Sequence, residues 1–222
     1  MKQLLSTKRL NTSQEEKLKA SGWNLTQYDA ISIDLLPVHS DPENRLAIFS
    51  SKYAVEACLS GPSPVDLSGA RCLCVGNKTS ILLKQHGIEV LEVSDSAAEL
   101  AERIKIKYSN VSFVYYCGNR RLETLPIALE KLNADWEEVK VYNTSLVQRN
   151  FSQPFHGILF FSPSGVESFM GANSLNNSTA FCIGETTAAT VRKFTNRIII
   201  APHPALDAVV EMAAGHINPV KF

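Results

Sequence analysis

Leu46-Ala-Ile-Phe-Ser-Ser-Lys-Tyr-Ala-Val-Glu56, followed by Arg71-Cys-Leu-Cys-Val-Gly-Asn-Lys-Thr79, is the stretch that decides the fold, because the chain carries a second copy of it. The second copy reads Ile158-Leu-Phe-Phe-Ser-Pro-Ser-Gly-Val-Glu167 and then Ala180-Phe-Cys-Ile-Gly-Glu-Thr-Thr187. Each copy contains an apolar run, a Ser-containing turn, a helix-like stretch and a second apolar run that ends in Gly-x-x-Thr. A repeat at the length of a domain predicts two similar α/β domains rather than a solenoid.

The composition is that of an ordinary globular protein. The chain has 222 residues, of which 45% are hydrophobic and 20% charged, and this length allows two small domains. The formal net charge of zero argues against a nucleic-acid partner bound through bulk charge. No apolar run has the roughly 20 residues that span a bilayer, and the first residues lack the features of a secretory signal. We therefore expect a cytoplasmic monomer with neither nucleic-acid nor membrane partners.

Cysteine and histidine show no pattern of a metal centre. The five cysteines contain no Cys-x-x-Cys pair and lie mostly in apolar runs, which favours small buried side chains. The five histidines have no metal-ligand spacing. The sequence therefore predicts no metal site.

Strands that alternate with helices predict parallel sheets. The predicted strands of the middle segment lie near 46–50, 71–75, 88–93, 111–117 and 137–142, and those of the C-terminal segment near 156–161, 179–183 and 197–201. Two N-terminal strands, near 2–6 and 28–36, flank a helix with capping-box spacing at Thr12-Ser-Gln-Glu15. The two N-terminal strands and the three C-terminal strands together would form a five-stranded sheet. The middle segment also has five predicted strands.

The predicted fold class is α/β, with two doubly wound, flavodoxin-like parallel-sheet domains. The first domain is discontinuous and comprises residues 1–36 and 150–222. The second comprises residues 42–142 and is inserted into the first. The two linkers are residues 37–41 and 143–149.

Polar groups follow the predicted strands at the edge where an open parallel sheet binds its ligands. In the middle domain these groups are Ser50-Ser51-Lys52, Gly76-Asn77-Lys78-Thr79 and Gly118-Asn119-Arg120-Arg121. In the other domain they are Thr7-Lys8-Arg9, Ser162-Pro163-Ser164-Gly165 and Gly184-Glu185-Thr186-Thr187. Hydroxyls, backbone amides and cations suit carboxylates or phosphates. The same residues are also typical of simple helix caps, tight turns and solvated surface.

Several chemistries lack their signatures. The chain has no Gly-x-Gly-x-x-Gly, no P-loop and no Gly-x-Ser-x-Gly, so dinucleotide, nucleotide and serine-hydrolase sites are not indicated. The predicted strand ends are also poor in acids and bases. These observations leave a site for a polyanionic ligand held between two lobes, either in an enzyme or in a non-catalytic two-lobe binding protein for a small polyanion.

The chain resembles uroporphyrinogen-III synthases in motifs that occur in family order over nearly its whole length. These are Ile48-Phe-Ser-Ser-x-x-Ala-Val55, Val75-Gly-x-x-Thr79, Val141-Tyr142, Phe160-Phe-Ser-Pro-Ser-Gly-Val166, Ile183-Gly-x-Thr-Thr-Ala188 and Pro204-x-x-Asp-Ala-Val209. The chain departs from the family at Thr7-Lys8-Arg9, where Thr-Arg-Pro is usual, and at Cys117-Gly118-Asn119, where the turn usually runs Arg-Gly. It departs again at Ala205, where Thr is usual.

This resemblance implies an enzyme that cyclises hydroxymethylbilane, a linear tetrapyrrole with eight carboxylates, with inversion of the terminal ring and loss of water. It implies a cyclising lyase without metal or organic cofactor, in which the protein mainly folds the substrate into the productive geometry. Tyr142 is the implied assistant for departure of the hydroxyl. The implied substrate-binding residues are Thr7, Lys8, Ser50, Ser51, Lys52, Gly76, Lys78, Thr79, Gly118, Ser162, Ser164, Gly165, Gly184, Thr186 and Thr187. A related module that has lost turnover is a further alternative.

Overall fold

The computed structural model describes residues 2–217, and the chain forms two compact units. Unit 1 runs up to Ser32 and resumes at Ser145, and unit 2 comprises Ile33–Thr144. Met1 and residues 218–222, which the sequence assigns to the discontinuous domain, lie outside the described residues.

Nineteen elements occur in the described part of the chain. The first ten are β1 (Lys2–Ser6), α1 (Thr12–Ala20), β2 (Trp23–Gln27), β3 (Ile31–Leu35), β4 (Leu46–Phe49), α2 (Lys52–Ser60), β5 (Arg71–Val75), α3 (Asn77–Gln85), β6 (Glu89–Ser94) and α4 (Ala97–Lys107). The remaining nine are β7 (Phe113–Gly118), α5 (Thr124–Lys131), β8 (Trp136–Leu146), β9 (Gly157–Phe160), α6 (Pro163–Met170), β10 (Thr179–Cys182), α7 (Glu185–Val191), β11 (Ile198–Ile200) and α8 (Leu206–Ile217).

Unit 1 is a doubly wound parallel sheet, as predicted. Its five strands lie in the order β11-β10-β9-β1-β2, and every neighbouring pair is parallel. Successive residues of β1 point to opposite faces: Leu5 packs in a cluster with Phe169 of α6, whereas Leu4 packs with Leu18 of α1 and Val209 of α8. Both faces of the sheet are thus covered by helices, which is why its inner strands β9 and β10 are largely apolar runs rather than alternating ones.

Unit 2 has the same construction. Its six strands lie in the order β3-β8-β7-β4-β5-β6. Phe49 and Tyr116 belong to the apolar cluster on one face, and Ile48 and Tyr115 belong to the cluster on the other. Reversing the order of the last five strands gives β6-β5-β4-β7-β8, which matches β11-β10-β9-β1-β2 of unit 1 position by position. The repeated phrases therefore form equivalent pairs of neighbouring strands, β4 with β5 and β9 with β10.

The strand that completes the sheet of unit 1 differs from the predicted one. Residues Trp23–Gln27 form it, whereas Ile31–Leu35 joins the sheet of unit 2. Gly22 has a φ of 97° and turns the chain directly after α1. The Trp23 side chain is buried, and its indole N–H donates to the Ala213 carbonyl at 2.8 Å, which fixes this segment as a strand. The predicted boundary at residue 36 is therefore too late, because Ile33 onward belongs to unit 2.

Residues of the two predicted linkers are held by hydrogen bonds and packing. Val38 is buried in the core of unit 2, and the Tyr116 hydroxyl donates to the Ser40 carbonyl at 2.7 Å. Residues 37–41 therefore pack on unit 2 instead of forming a free linker. In the second predicted linker, β8 continues to Leu146. The sequence predicts loops here because the segments contain residues typical of turns. It does not show the distant residues that hydrogen-bond to them and pack against them.

The N-cap of α1 also differs from the expected residue. Asn11, not Thr12, caps the helix: its side chain accepts from the Gln14 backbone N–H at 2.9 Å, and the Gln14 side chain accepts from the Asn11 N–H at 3.1 Å. A capping box is present, one residue earlier than its predicted position.

Candidate functional site

Each unit has one position where its strand order changes direction. In unit 2 the neighbours β4 and β7 mark this position, and in unit 1 they are β9 and β1. Ligands of open α/β sheets bind beyond the carboxyl ends of strands at such a position. The residues that follow these four strands therefore form the candidate regions, and each unit is described by itself.

Ser50 and Ser51 follow β4, and each forms a hydrogen bond with a tyrosine of unit 2. The Ser50 hydroxyl shares a 2.8 Å hydrogen bond with the Tyr115 phenol, whose burial raises its pKa to about 12. The Ser51 side chain caps α2 by accepting from the Tyr53 N–H at 3.2 Å. Both predicted binding residues thus have structural partners, and Ser51 is a helix cap, the alternative that the sequence leaves open.

Tyr142 lies on β8 with its ring over the backbone of Gly118. A β-carbon built on Gly118 would be 2.3 Å from Cζ of Tyr142, so only glycine leaves room for this ring. The Tyr53 ring packs beside it, with 5.8 Å between the ring centroids. Burial raises the pKa of Tyr142 above its ordinary value, while the Ser51 hydroxyl, which can hydrogen-bond the phenolate, acts in the opposite direction. The phenol therefore keeps its proton at neutral pH and can donate a hydrogen bond.

The strand-end cations of unit 2 differ in their availability. The Lys52 ammonium is 2.7 Å from Glu56 and 4.4 Å from the centre of the Tyr53 ring. The Arg121 guanidinium donates to Glu138 at 2.7 Å and to Glu123 at 2.6 Å. Lys78, in contrast, is exposed and has no side-chain partner among the described residues. Of these three cations, Lys78 is the one free to meet an anion without first breaking an ion pair.

The turn at Gly76, which precedes α3, is held by a backbone hydrogen bond and also contains solvent-exposed residues. Gly76 has a φ of 86°, a conformation that favours glycine, and its N–H donates to the Ser94 carbonyl at 2.8 Å. Thr79 is buried one turn later. The Gly76 amide is therefore occupied, and Asn77 and Lys78 are the residues of this turn that face solvent.

In unit 1 the structure brings Thr7, Ser162 and Gly165 together. The Thr7 hydroxyl donates to the Leu159 carbonyl at 2.7 Å, which ties the end of β1 to β9. The Ser162 hydroxyl caps α6 by accepting from the Gly165 N–H at 3.0 Å. A β-carbon built on Gly165 would be 3.5 Å from the Thr7 hydroxyl, so these groups are immediate neighbours.

The other predicted residues of unit 1 vary in exposure. Gly184, at the N-cap of α7, adjoins open space: a β-carbon built there would have no neighbour within 4 Å. Lys8 and Thr186 are exposed, Ser164 is half-buried, and Thr187 is buried against the unit. Beyond β10, the half-buried Gly184 and the exposed Thr186 flank Glu185, whose exposed carboxylate is paired with Arg192.

Sequence reasoning did not single out Tyr53 or Tyr115, and it placed Asn119 only in a strand-end turn, as a departure from the family pattern. The two tyrosines lie inside a helix and a strand, where the pattern indicates only core packing. The Asn119 side chain pairs with the backbone of Thr144: its Oδ1 accepts from the Thr144 N–H at 2.8 Å, and its Nδ2 donates to the Thr144 carbonyl at 3.3 Å. An Asn at a strand end signals only a turn, since its partner is far away in sequence.

Within residues 2–217, no group of three or more His, Cys, Asp or Glu side chains is arranged to hold a metal ion. In the same range, no helix has both the length and the apolar character needed to cross a bilayer.

Comparison with known proteins adds a sequence family. The profile of the family described as uroporphyrinogen-III synthase HemD matches residues 16–211. A curated relative, the porphyrin biosynthesis protein HemD of Ruminiclostridium josui, is 25% identical over 162 residues, which are 65% of this chain and 32% of the relative. The chain thus spans about a third of the length of this relative.

Solved structures share the fold. The chain superposes on uroporphyrinogen-III synthetase from Helicobacter pylori with a TM-score of 0.73 at 20% identity, over 97% of this chain and 100% of the other. For a mutant uroporphyrinogen III synthase from Thermus thermophilus the TM-score is 0.68 at 14% identity, with 97% of each chain covered. At these identities the comparison establishes the α/β fold.

Proposed function

Because this chain belongs to the uroporphyrinogen-III synthase family, we propose that it converts hydroxymethylbilane to uroporphyrinogen III in porphyrin biosynthesis. The observation that supports this function is the family match over residues 16–211, a range that contains both copies of the repeated phrase. The reaction would make the protein a cyclising lyase. The carbon–oxygen bond of the hydroxymethyl group breaks, and its methylene carbon bonds to the bridge-bearing α-carbon of the terminal pyrrole. The older bond from that α-carbon to its methylene bridge breaks, and the bridge carbon bonds instead to the free α-carbon of the same ring, which inverts the ring. The proton lost from this free α-carbon leaves with the hydroxyl as water.

The strand ends support a substrate with many carboxylates. In unit 2 the exposed Lys78 can meet a carboxylate directly, and in unit 1 the open backbone at Gly184 and the Thr186 hydroxyl can hydrogen-bond one. Lys52 is available only by exchanging Glu56 for substrate. Binding would therefore rest on several modest contacts that together hold the flexible bilane in one conformation.

Tyr142 is the proposed hydrogen-bond donor to the departing hydroxyl. Its phenol keeps its proton at neutral pH because burial raises the pKa. A phenol with a raised pKa is a feeble acid, so it can assist the departure by hydrogen bonding without transferring its proton fully. We therefore assign it an accelerating and not an indispensable role.

The proposal also covers the cofactors, the oligomeric state and the location of the protein. The bilane supplies both the leaving hydroxyl and the electron-rich pyrrole, so neither a metal nor an organic cofactor is required by the chemistry. A monomer acting in the cytoplasm, without nucleic-acid or membrane partners, stays a prediction.

The test is conversion of hydroxymethylbilane by the purified protein, with separation of the product isomers. We expect the type III isomer in buffer that contains chelator and no added cofactor. Formation of the type I isomer alone, at the spontaneous rate, would contradict the enzyme proposal. Binding of a uroporphyrinogen without turnover would instead favour a non-catalytic binding protein.

A further inference from the structure

The backbone around Tyr142 is irregular. The pairing of β7 with β8 joins Cys117 to Lys140 and then Gly118 to Tyr142, so one residue of β8, Val141, is left over. Such a bulge bends a strand and re-aims the side chains beside it. Here the Val141 carbonyl accepts from the Leu36 N–H at 2.8 Å, on the opposite side from β7. The bulge therefore lies directly before Tyr142, whose ring packs over Gly118, and β8 has no partner on β7 beyond this pair.

Asn119 supports β8 here through three hydrogen bonds. Its backbone N–H donates to the Tyr142 carbonyl at 3.2 Å, and its side-chain amide both accepts from and donates to the backbone of Thr144, at 2.8 and 3.3 Å. A carboxamide facing a peptide group in this way continues the ladder for one further step after β7 ends. Asn119 thus fixes the backbone of β8 at two positions, Tyr142 and Thr144.

We propose that Asn119 is a positioning residue, which holds the Tyr142 phenol in the orientation that assists the reaction. This inference rests on the proposed function. Arg or Gly at this position could not make the same pairing, because a guanidinium has no acceptor and glycine has no side chain. The side chain of Asn119 is exposed, so its loss should cost little stability while it loosens the strand beside the phenol.

The kinetic test compares Asn119→Ala in the wild-type and the Tyr142→Phe backgrounds. In the wild-type background we expect kcat to fall by about 3- to 30-fold with little change in KM, because a misplaced donor weakens the transition state more than substrate binding. In the Tyr142→Phe background the same change should cost less than about twofold, since no phenol remains to be positioned. Equal losses in both backgrounds would overturn the proposal.

Two further variants define the contact. Asn119→Asp keeps an acceptor for the Thr144 N–H but cannot donate to the Thr144 carbonyl, so we expect an intermediate loss of kcat. Asn110→Ala is the matched control, because Asn110 is an exposed asparagine of the same unit whose side chain makes no hydrogen bond to a described residue. We expect this control to retain wild-type kinetics.

A second readout does not require activity. Protein labelled with fluorotyrosine gives a fluorine NMR signal for Tyr142, identified by its absence in Tyr142→Phe. We expect Asn119→Ala to shift or broaden this signal and Asn110→Ala to leave it in place. An unmoved Tyr142 signal in Asn119→Ala would overturn the proposal even if the rate fell. If the wild type made no type III isomer, the proposed function would fail, and the fluorine measurement would still decide whether Asn119 positions Tyr142.

Discussion

The phenol of Tyr142 occupies the space that a side chain at Gly118 would fill: a β-carbon there would lie 2.8 Å from the phenol oxygen and closer still to the ring. That Gly118 also binds the substrate, as the resemblance implies, stays a prediction. Its missing side chain leaves room for the aromatic ring, so Gly118 determines where Tyr142 can lie.

Gly118→Ala should destabilise the protein by about 1–3 kcal/mol, the usual cost of overpacking, because the Tyr142 ring must move. In a Tyr142→Ala background the same substitution should cost clearly less, since the colliding ring is gone. Urea unfolding of the four proteins measures this coupling. Gly184→Ala serves as the control, because a β-carbon at that position meets no atom within 4 Å. Equal costs of Gly118→Ala in both backgrounds would show that the ring is not what excludes a side chain.

Tyr142→Phe should fold normally and still produce the type III isomer, but more slowly. Loss of one donor from a preorganised site typically costs about 10²- to 10³-fold in rate, and an assistant that is partly redundant should cost less. Single-turnover kinetics with isomer analysis measures both quantities. Tyr108→Phe removes a phenol oxygen elsewhere in unit 2 and is the control. Wild-type turnover in Tyr142→Phe would make Tyr142 a packing residue, and a product entirely of type I would make it a determinant of ring inversion.

Glu92 should make the stability of the protein depend on acid pH. Hydrogen bonds from Lys107 and Arg103 hold the pKa of this buried carboxyl below its ordinary value. The folded pKa is the lower one, so the stabilisation is complete above the unfolded pKa of about 4.3 and disappears as the pH falls through the folded pKa. Glu92→Gln should therefore lower the free energy of unfolding by roughly 1 kcal/mol at neutral pH, and by much less at strongly acidic pH.

Glu89→Gln is the matched control for this change, because Glu89 lies on the same strand but is exposed. Urea unfolding at a series of pH values should give parallel curves for Glu89→Gln and wild type. A Glu92→Gln curve that also stays parallel to wild type down to acidic pH would refute the role of this ion-pair cluster.

The cysteines should be unreactive in the folded protein. All five are buried, as the sequence predicted, and burial raises the pKa to about 11 for Cys74 and to about 12 for the others: Cys58, Cys72, Cys117 and Cys182. Thiolates are the reactive form, so a thiol reagent at mildly alkaline pH should titrate almost no group in native protein and all five after denaturation. Fast reaction of a thiol in the native state would contradict this burial.

The sequence was sufficient for the elements whose signals are local. Strands β4, β5, β9 and β10 are apolar runs that end in serine or glycine, so both their type and their position could be predicted. Strand β2 could not, because Trp23-Asn-Leu-Thr-Gln27 has few apolar residues and depends on a hydrogen bond to Ala213, far along the chain. The N-cap of α1 was misplaced by one residue because Asn11 and Thr12 are equally plausible caps from composition alone.

For the candidate site, too, the sequence was sufficient for the positions of the residues but not for their contacts. Residues such as Ser51 and Ser162 follow strands, and a strand end is visible in the sequence. What each group does there depends on partners that only the fold supplies: Glu56 for Lys52, Glu138 for Arg121 and Tyr142 for Gly118. Asn119 shows the limit most clearly, because its hydrogen-bond partners lie on a strand that begins 17 residues later.

The place of β1 inside its sheet, between β2 and β9, has a consequence for biosynthesis. Thr7, at the end of this strand, bonds to Leu159, which emerges from the ribosome 152 residues later. At about 5–20 residues per second this delay lasts roughly 8–30 s. Unit 2 is synthesised in one piece during that interval and can fold, whereas the N-terminal β-α-β segment of unit 1 must wait with one apolar edge uncovered. Nascent-chain chaperones should therefore engage the first thirty or so residues, and the last strands to be translated should release them.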